Sequence, residues 1–446
     1  MPLNTPKWQT NSWRLRTAAQ QPVYDDPVGV DGALALLSGK PPIVAPGEVD
    51  RLRADLALAA DGRRFVLQGG DCAERFEECT APSLTRLLQV LLQMSLVLTY
   101  ATRKPVIRIG RVAGQYAKPR STSTEVVDGV DLPVYRGDLI NDMAPTPEGR
   151  RAEPRRMIEG YHHATASLNF IRGLIEGGFA DLHHPEQWDL DFVEQSPDGE
   201  AYQNIIDAIT DAVTFMKTVG EEGMLETLRR VSFYTSHEAL LLPYEEAMTR
   251  STAGQWHNLG AHFLWLGYRT CQKDGAHVEY LSGVRNPIGI KVGPNMPAAD
   301  LVEILDRVDP GREPGRVTLI TRFGSERVGE CLPAYLHAVG HAGHPVLWLC
   351  DPMHGNTRAT DDGHKTRHVA DIFTELERTF EMHASVGTCL GGVHFELTGS
   401  PVTECVGGSG GVRAQQLGDC YQSACDPRLN GAQALEMAFL IARLLR

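Results

Sequence analysis

No stretch of roughly 18 uncharged apolar residues occurs in the 446-residue chain, so no membrane-spanning helix is expected. The N-terminal stretch MPLNTPKWQTNSWRLRTAAQQPVYDDP lacks the apolar core, roughly 7–15 residues, of a secretory signal; this predicts a cytoplasmic protein. No CxxC pair is present. The nine cysteines (Cys72, Cys79, Cys271, Cys331, Cys350, Cys389, Cys405, Cys420 and Cys425) are odd in number and scattered, which reads as reduced thiols and not a disulfide framework. Basic charge is in deficit, with 43 Lys and Arg against 56 Asp and Glu and a net charge of −13. That argues against a nucleic-acid or membrane-surface partner but leaves room for a local basic pocket. Internal repeats and low-complexity tracts are missing as well.

What is present is an alternation. Eight short apolar runs read as strands: RFVLQGG, PVIRIGRVAG, VSFYTSHEALLL, AHFLWLG, PIGIKVGP, RVTLITRFG, PVLWLCDPMHG and GVHFELTG. Several are apolar nearly throughout, as strands covered on both faces should be. Helical patterns such as PSLTRLLQVLLQMSLVLTYA lie between most of them. Eight βα units predict one (β/α)8 TIM barrel over residues 1–446, with a doubly wound open sheet as the competitor. Residues 1–60 read as an N-terminal extension containing the helix candidate EVDRLRADLALAADG. Residues 150–230 read as a helical insertion between strands 2 and 3.

The count of eight favours the barrel, and so do the polar residues at the strand ends. Read in order, those ends carry Cys72, then Arg111 with Lys118 and Arg120, then Ser236, His237 and Glu238. Trp265, Tyr268 and Arg269 follow, then Lys291, Arg322, His354 and Glu396, with Asp426 soon after. In a barrel these positions converge on one mouth. Two chemical subsets emerge. Arg111, Lys118, Arg120, Arg269, Lys291 and Arg322 are cations on an acidic protein, several in apolar contexts that demand an anionic partner. Phosphate and carboxylate suit them. Cys72, His354, Glu396 and Asp426 form a mixed S/N/O set suited to a Lewis-acid metal such as Mn2+, Co2+ or Fe2+.

Each residue also has a structural reading. Cys72 alone reads first as a buried small hydrophobe, and His354 in DPMHGNT equally bonds a turn. Glu396 and Lys291 are harder to dismiss, because a charge inside an apolar strand needs a partner. His237 and Glu238 read as structural, Trp348 as packing, and Trp265 as packing or a pocket wall. VGGSGG at 406–411 reads as a flexible loop, since no helix-opening Lys-Ser follows it.

Ten motifs in order, QGGDCAE, RVAGQYAKPRS, YRGD, SHEALLL, NPIGIKVGPN, CDPMHGNT, KTRH, GGVHFELTG, VTEC and CDPRLN, resemble the type II 3-deoxy-D-arabino-heptulosonate 7-phosphate (DAHP) synthases. The resemblance runs nearly the whole chain. It implies a metal-dependent barrel that condenses phosphoenolpyruvate with erythrose 4-phosphate at the head of the shikimate pathway. It places Cys72, His354, Glu396 and Asp426 on the metal, Mn2+ first among the candidates. Arg111, Arg269, Lys291 and Arg322 fall in the phosphoenolpyruvate pocket, Lys118, Arg120 and Ser121 where the aldose phosphate sits, and Trp265 and Tyr268 count among the substrate-binding residues. Lys291, Arg111, His354 and Cys72 are the residues it implicates most directly in catalysis. It also implies a homodimer or homotetramer and a chorismate mutase partner; the family often carries extra helices for feedback by aromatic amino acids, and the 150–230 insertion is long enough to include them.

The sequence departs from the family pattern in places. Tyr268 stands directly before the pocket arginine, where an acidic residue is usual; Arg358 follows HGNT; and Cys420 replaces a more usual arginine. These departures leave two alternatives: a specialised paralogue using an imino analogue of erythrose 4-phosphate, or a catalytically silent regulatory barrel.

Overall fold

Runs such as IGIKV and LWLC, too short for helices and rich in apolar and β-branched residues, form strands buried on both faces. In the computed structural model, which describes residues 8–127, 129–179, 198–218, 231–361 and 363–445, all eight predicted runs are strands. They are β1 (Phe65–Gly70), β2 (Val106–Arg111), β3 (Phe233–Glu238) and β4 (Phe263–Leu266), then β5 (Ile288–Val292), β6 (Val317–Thr321), β7 (Leu347–Cys350) and β8 (Gly392–Glu396). Each pairs in parallel with its sequence neighbours and β8 pairs back onto β1, closing the barrel. The open-sheet alternative is thereby excluded.

The extension is not a loose tail. It forms helices α1 (Pro27–Ser38) and α2 (Pro46–Ala60), each opened by a proline in its first turn. Helix α2 covers the N-terminal end of the barrel. Leu52, Leu56 and Ala59 are wholly buried against Val66, Ile107, Tyr234, Phe263 and Leu347, which lie at the starts of their strands. Leu56→Ala is therefore expected to cost about 2–5 kcal/mol, read as a lower denaturant midpoint, because the rigid floor cannot collapse into the gap.

Helix α3 (Ala81–Thr102) follows β1. By length and composition alone it would span a membrane, yet most of it is buried, and it packs against the last helix, Gly431–Leu444. Between β2 and β3 lie the hairpin Thr124–Val127/Val130–Pro133, then α4 (Arg155–Glu176) and α5 (Gly199–Thr218). Parts of the expected insertion, residues 180–197 and 219–230, lie outside the described residues. Helix α4 is tied to the extension: Arg172 pairs with Glu48 at 2.8 Å and the Tyr161 hydroxyl donates to Pro41 O at 2.9 Å.

One expectation fails. The VGGSGG segment is a pinned turn and not a loose loop. Gly407 N–H donates to Val412 O at 2.8 Å, and Ser409 N–H donates to the Glu436 carboxylate at 2.7 Å. Glycine content alone could not show that a helix carboxylate reaches across to hold it.

Candidate active site

Gly70 ends β1 in register with Arg111 on β2 and Glu396 on β8. Its φ is +144°, and a Cβ there would lie 2.6 Å from Arg111 O, so only glycine fits. The chain then turns over the mouth and delivers Cys72 between these two neighbours. Cys72, Glu396 and Asp426 converge, with one ligand atom from each within 4.8 Å of the others. His354 reaches the group through Glu396, its Nε2 standing 3.0 Å from Oε1. Its Nδ1 faces Asp351 Oδ2 at 2.7 Å, which fixes the ring orientation.

The electrostatics of this corner are extreme. Burial alone would raise the Glu396 carboxyl. His354, Lys118, Arg367 and Arg111 hold it well below the usual range instead. Arg367 Nη2 lies 2.7 Å from Glu396 Oε2 and Arg111 Nη2 lies 3.1 Å from Oε1. The Lys118 ammonium sits in contact with both Cys72 Sγ and Asp426 Oδ2. Three anionic or potentially anionic donors thus already gather a cation, and their S/O chemistry with His354 beside them fits a divalent ion.

Arg111 is held from below by a polar layer inside the barrel. His394 Nε2 lies 2.6 Å from Arg111 Nη1, and His394 Nδ1 lies 2.8 Å from Gln68 Oε1. Burial, with Lys291 and Arg111 nearby, lowers the His394 pKa strongly, so the ring is neutral. It accepts from the guanidinium at Nε2 and donates to Gln68 from Nδ1. Gln68 in turn donates to Ser236 Oγ at 3.0 Å.

A cleft of about 820 Å³ opens beside the donors. Arg111, Lys118, Arg269, Lys291 and Arg322 line it, with Trp265 and Tyr268. Lys291 Nζ pairs with Asp351 Oδ2 at 2.5 Å; burial pulls its pKa down to about 8. The Arg322 guanidinium lies 5.2 Å over the Tyr268 ring and donates to His354 O at 3.1 Å. The Tyr268 hydroxyl accepts from Asn295 N–H at 3.0 Å. Arg269 donates to Ser121 Oγ at 2.6 Å, at the cleft's outer edge. Arg120 faces Glu125 at 3.4 Å. Lys118 is thus placed among the metal-type donors, apart from Arg120 and Ser121.

The surrounding loops are pinned by buried carboxylates that sequence reasoning passed over. Glu74 accepts from the N–H groups of Ala113, Gly114 and Gln115 at 2.9, 3.0 and 2.7 Å, fixing the loop that carries Lys118. Ala113 is held at φ +60° by this grip. Glu404 accepts from Gln422, Ser423 and Arg428 N–H, which shapes the loop bearing Asp426. Arg428 links Glu404 to Asp71, the neighbour of Cys72, at 2.9 and 2.6 Å. Asp351, Arg367 and Lys365, the last 3.1 Å from Asp426 Oδ1, were also missed. Asp351 and Arg367 lie in loops and Lys365 in a two-residue hairpin strand, where charge ordinarily means solvation; only their place within the quoted motifs CDPMHGNT and KTRH marked them.

Such a closed parallel barrel, with thiol and carboxylate donors beside a cationic cleft at the strands' C-terminal ends, defines an enzyme site for anionic substrates. Residues 8–442 match the class-II DAHP synthetase family, and the chain belongs to that family. It is 46% identical over 438 residues to a Streptomyces coelicolor protein named phospho-2-dehydro-3-deoxyheptonate aldolase, covering 98% of this chain and 97% of the relative. A Neurospora crassa protein of the same name is 46% identical over 98% of this chain and 94% of its own length. A Mycolicibacterium smegmatis relative, phospho-2-dehydro-3-deoxyheptonate aldolase AroG, is 43% identical over 97% and 93%.

Proposed function

We propose that the protein condenses phosphoenolpyruvate with erythrose 4-phosphate, giving DAHP and inorganic phosphate, the entry to chorismate and the aromatic amino acids. The carrying observation is the meeting, at one barrel mouth, of the Cys72–Glu396–Asp426 donors with a cleft lined by Arg111, Lys118, Arg269, Lys291, Arg322 and Lys365. Family membership over residues 8–442 supports the same reaction.

In this reading Arg111, Lys291 and Arg322 grip the phosphate and carboxylate of phosphoenolpyruvate, and Trp265 walls the cleft. Arg269, Arg120 and Ser121 hold the distal phosphate of the aldose. Two polyanions that repel in water are thereby brought together and oriented. Cys72, His354, Glu396 and Asp426 hold a divalent cation, Mn2+ in preference to Co2+ or Fe2+. When bound, that ion supplies Lewis-acid stabilisation of negative charge developing on the aldehyde. Lys118, freed from those donors, turns its ammonium to the substrate anions.

The proposal extends to a cytoplasmic homodimer or homotetramer. The exposed Leu15, Val23 and Val28 on the extension offer apolar area for a subunit contact. It also extends to the 150–230 insertion as a regulatory element and to chorismate mutase as a partner.

The test is direct. Purified protein loaded in turn with Mn2+, Co2+ and Fe2+ is given both substrates. Loss of phosphoenolpyruvate absorbance and release of phosphate are followed. No consumption with any of the three ions would reject the reaction and leave the silent barrel. Tyr268, which puts a neutral ring where the family pattern has an acid, gives a reason to run the imino analogue in parallel. Turnover of that analogue alone would assign the specialised reaction.

A further inference from the structure

Glu238 is the last residue of β3 and lines the cleft, yet none of the roles above uses it. It is buried, 9% exposed, and its Oε1 has no hydrogen-bond partner among the described residues. Its carboxylate lies against Gly267, where an added Cβ would come within 1.9 Å of Oε1, so a glycine is needed opposite it. Its backbone is fixed: the N–H donates to Gln115 Oε1 at 2.8 Å. A buried carboxylate that serves structure is normally saturated with donors, as Glu74, Glu375 and Glu404 are here. Glu238 is held in place, and one of its carboxylate oxygens, Oε1, is shut against Gly267 without a donor among the described residues.

Its surroundings are cationic. Lys118 and Arg111 face it from β2 and the following loop, Arg269 from the loop after β4, and Lys291 from β5; Cys271 is a further titratable neighbour. The carboxylates lining the cleft are Glu238 and Asp426, and Asp426 is engaged among the metal-type donors. Burial pushes the Glu238 carboxyl up to about 7, against the pull of those cations. A base that changes charge near neutral pH is suited to accepting a proton and passing it on.

We propose that Glu238 is the catalytic base for the water that adds to C2 of phosphoenolpyruvate. The inference rests on the condensation proposed above. In that reaction C3 of phosphoenolpyruvate forms a bond to the aldehyde carbon, and C2 becomes electron-poor. The oxygen of water bonds to C2 as one of its protons passes to the Glu238 carboxylate. The C2–O bond to phosphate then breaks, and the phosphate leaves with that electron pair and the second water proton. The proton on Glu238 ends on the hydroxyl formed from the aldehyde oxygen. The neutral Tyr268 beside Arg269 leaves Glu238 as the carboxylate within reach of this part of the cleft.

The experiment is steady-state kinetics of wild type and Glu238→Gln, with phosphoenolpyruvate binding to each measured by calorimetry. The expected result is unchanged binding, a kcat lower by about 10²–10³-fold, and loss of the acidic limb of kcat/KM near pH 7. Glu238→Asp, which keeps the charge but withdraws it by one methylene, is expected to lose at least tenfold in kcat; it serves as the test if the glutamine variant fails to fold. A glutamine variant within threefold of wild-type kcat overturns the inference while the reaction stands. So does one that loses phosphoenolpyruvate binding but keeps kcat, and so does an aspartate variant with unchanged kcat. No turnover by wild type overturns both this inference and the condensation.

Discussion

Glu396→Gln is expected to remove divalent-metal binding and to lower kcat by on the order of 10³-fold, a loss of several kcal/mol of transition-state stabilisation. The reason lies in what surrounds this side chain. Glu396 is fully buried, with His354 at 3.0 Å, Arg111 at 3.1 Å and Arg367 at 2.7 Å. An amide keeps the shape but not the charge, so one buried guanidinium faces a neutral oxygen and the other faces an N–H donor. Breaking a buried pair of this kind typically costs about 3–5 kcal/mol of stability. A lower melting temperature should therefore accompany the loss of metal. Calorimetric titration with Mn2+, with turnover measured at the highest metal concentration, checks both. A variant that binds one ion per chain and keeps a tenth of wild-type turnover would show that Glu396 serves structure alone.

Lys291→Met is expected to raise the KM for phosphoenolpyruvate by about 10²-fold, since a buried cation that meets an anion is worth roughly 2–5 kcal/mol when truncated. Lys291 carries its own pH signature. Burial lowers its pKa to about 8, with Asp351 opposing that shift and Arg111 adding to it. In the free protein the ammonium is present below that value and is lost as pH rises through it. Phosphoenolpyruvate capture should therefore weaken above about pH 8. Bound substrate anions favour the charged form, so kcat should change less with pH than kcat/KM does. Lys291→Arg should remove the alkaline limb near 8. Kinetics from pH 6 to 10 on both variants would measure this, and an alkaline limb that survives in the arginine variant would assign it to another group.

Much of the fold was legible because its signal is local. Each strand is a short apolar run, and helical patterns separate most of them, so counting to eight sufficed. The helix over Pro46–Ala60 was also visible in its spacing, but its task was not: nothing in EVDRLRADLALAADG says that Leu56 closes the barrel floor. The pinned glycine turn at 406–411 shows the reverse error, because its tether, Glu436, lies on a distant helix.

The candidate site divides along the same line. Charged residues set in apolar strands, Lys291 and Glu396 among them, announced themselves because burial of a charge demands a partner. Arg367, Asp351 and Glu404 sit in irregular segments, where charge is unremarked until the chain is folded around it.

By itself, then, the sequence determined an acidic, cysteine-reduced chain of eight βα units with cations and metal-type donors at its strand ends. Ten motifs in order carried its likeness to one family. Only the tertiary structure decided that Cys72, Glu396 and Asp426 meet, that Lys118 lies among them, and that Glu238 lines the cleft with its Oε1 unpaired among the described residues. The physical reason is that secondary structure is written in neighbouring residues. A site is written in distances between residues hundreds of positions apart, and those distances are set by barrel closure, strand register and the buried carboxylates that pin the mouth loops.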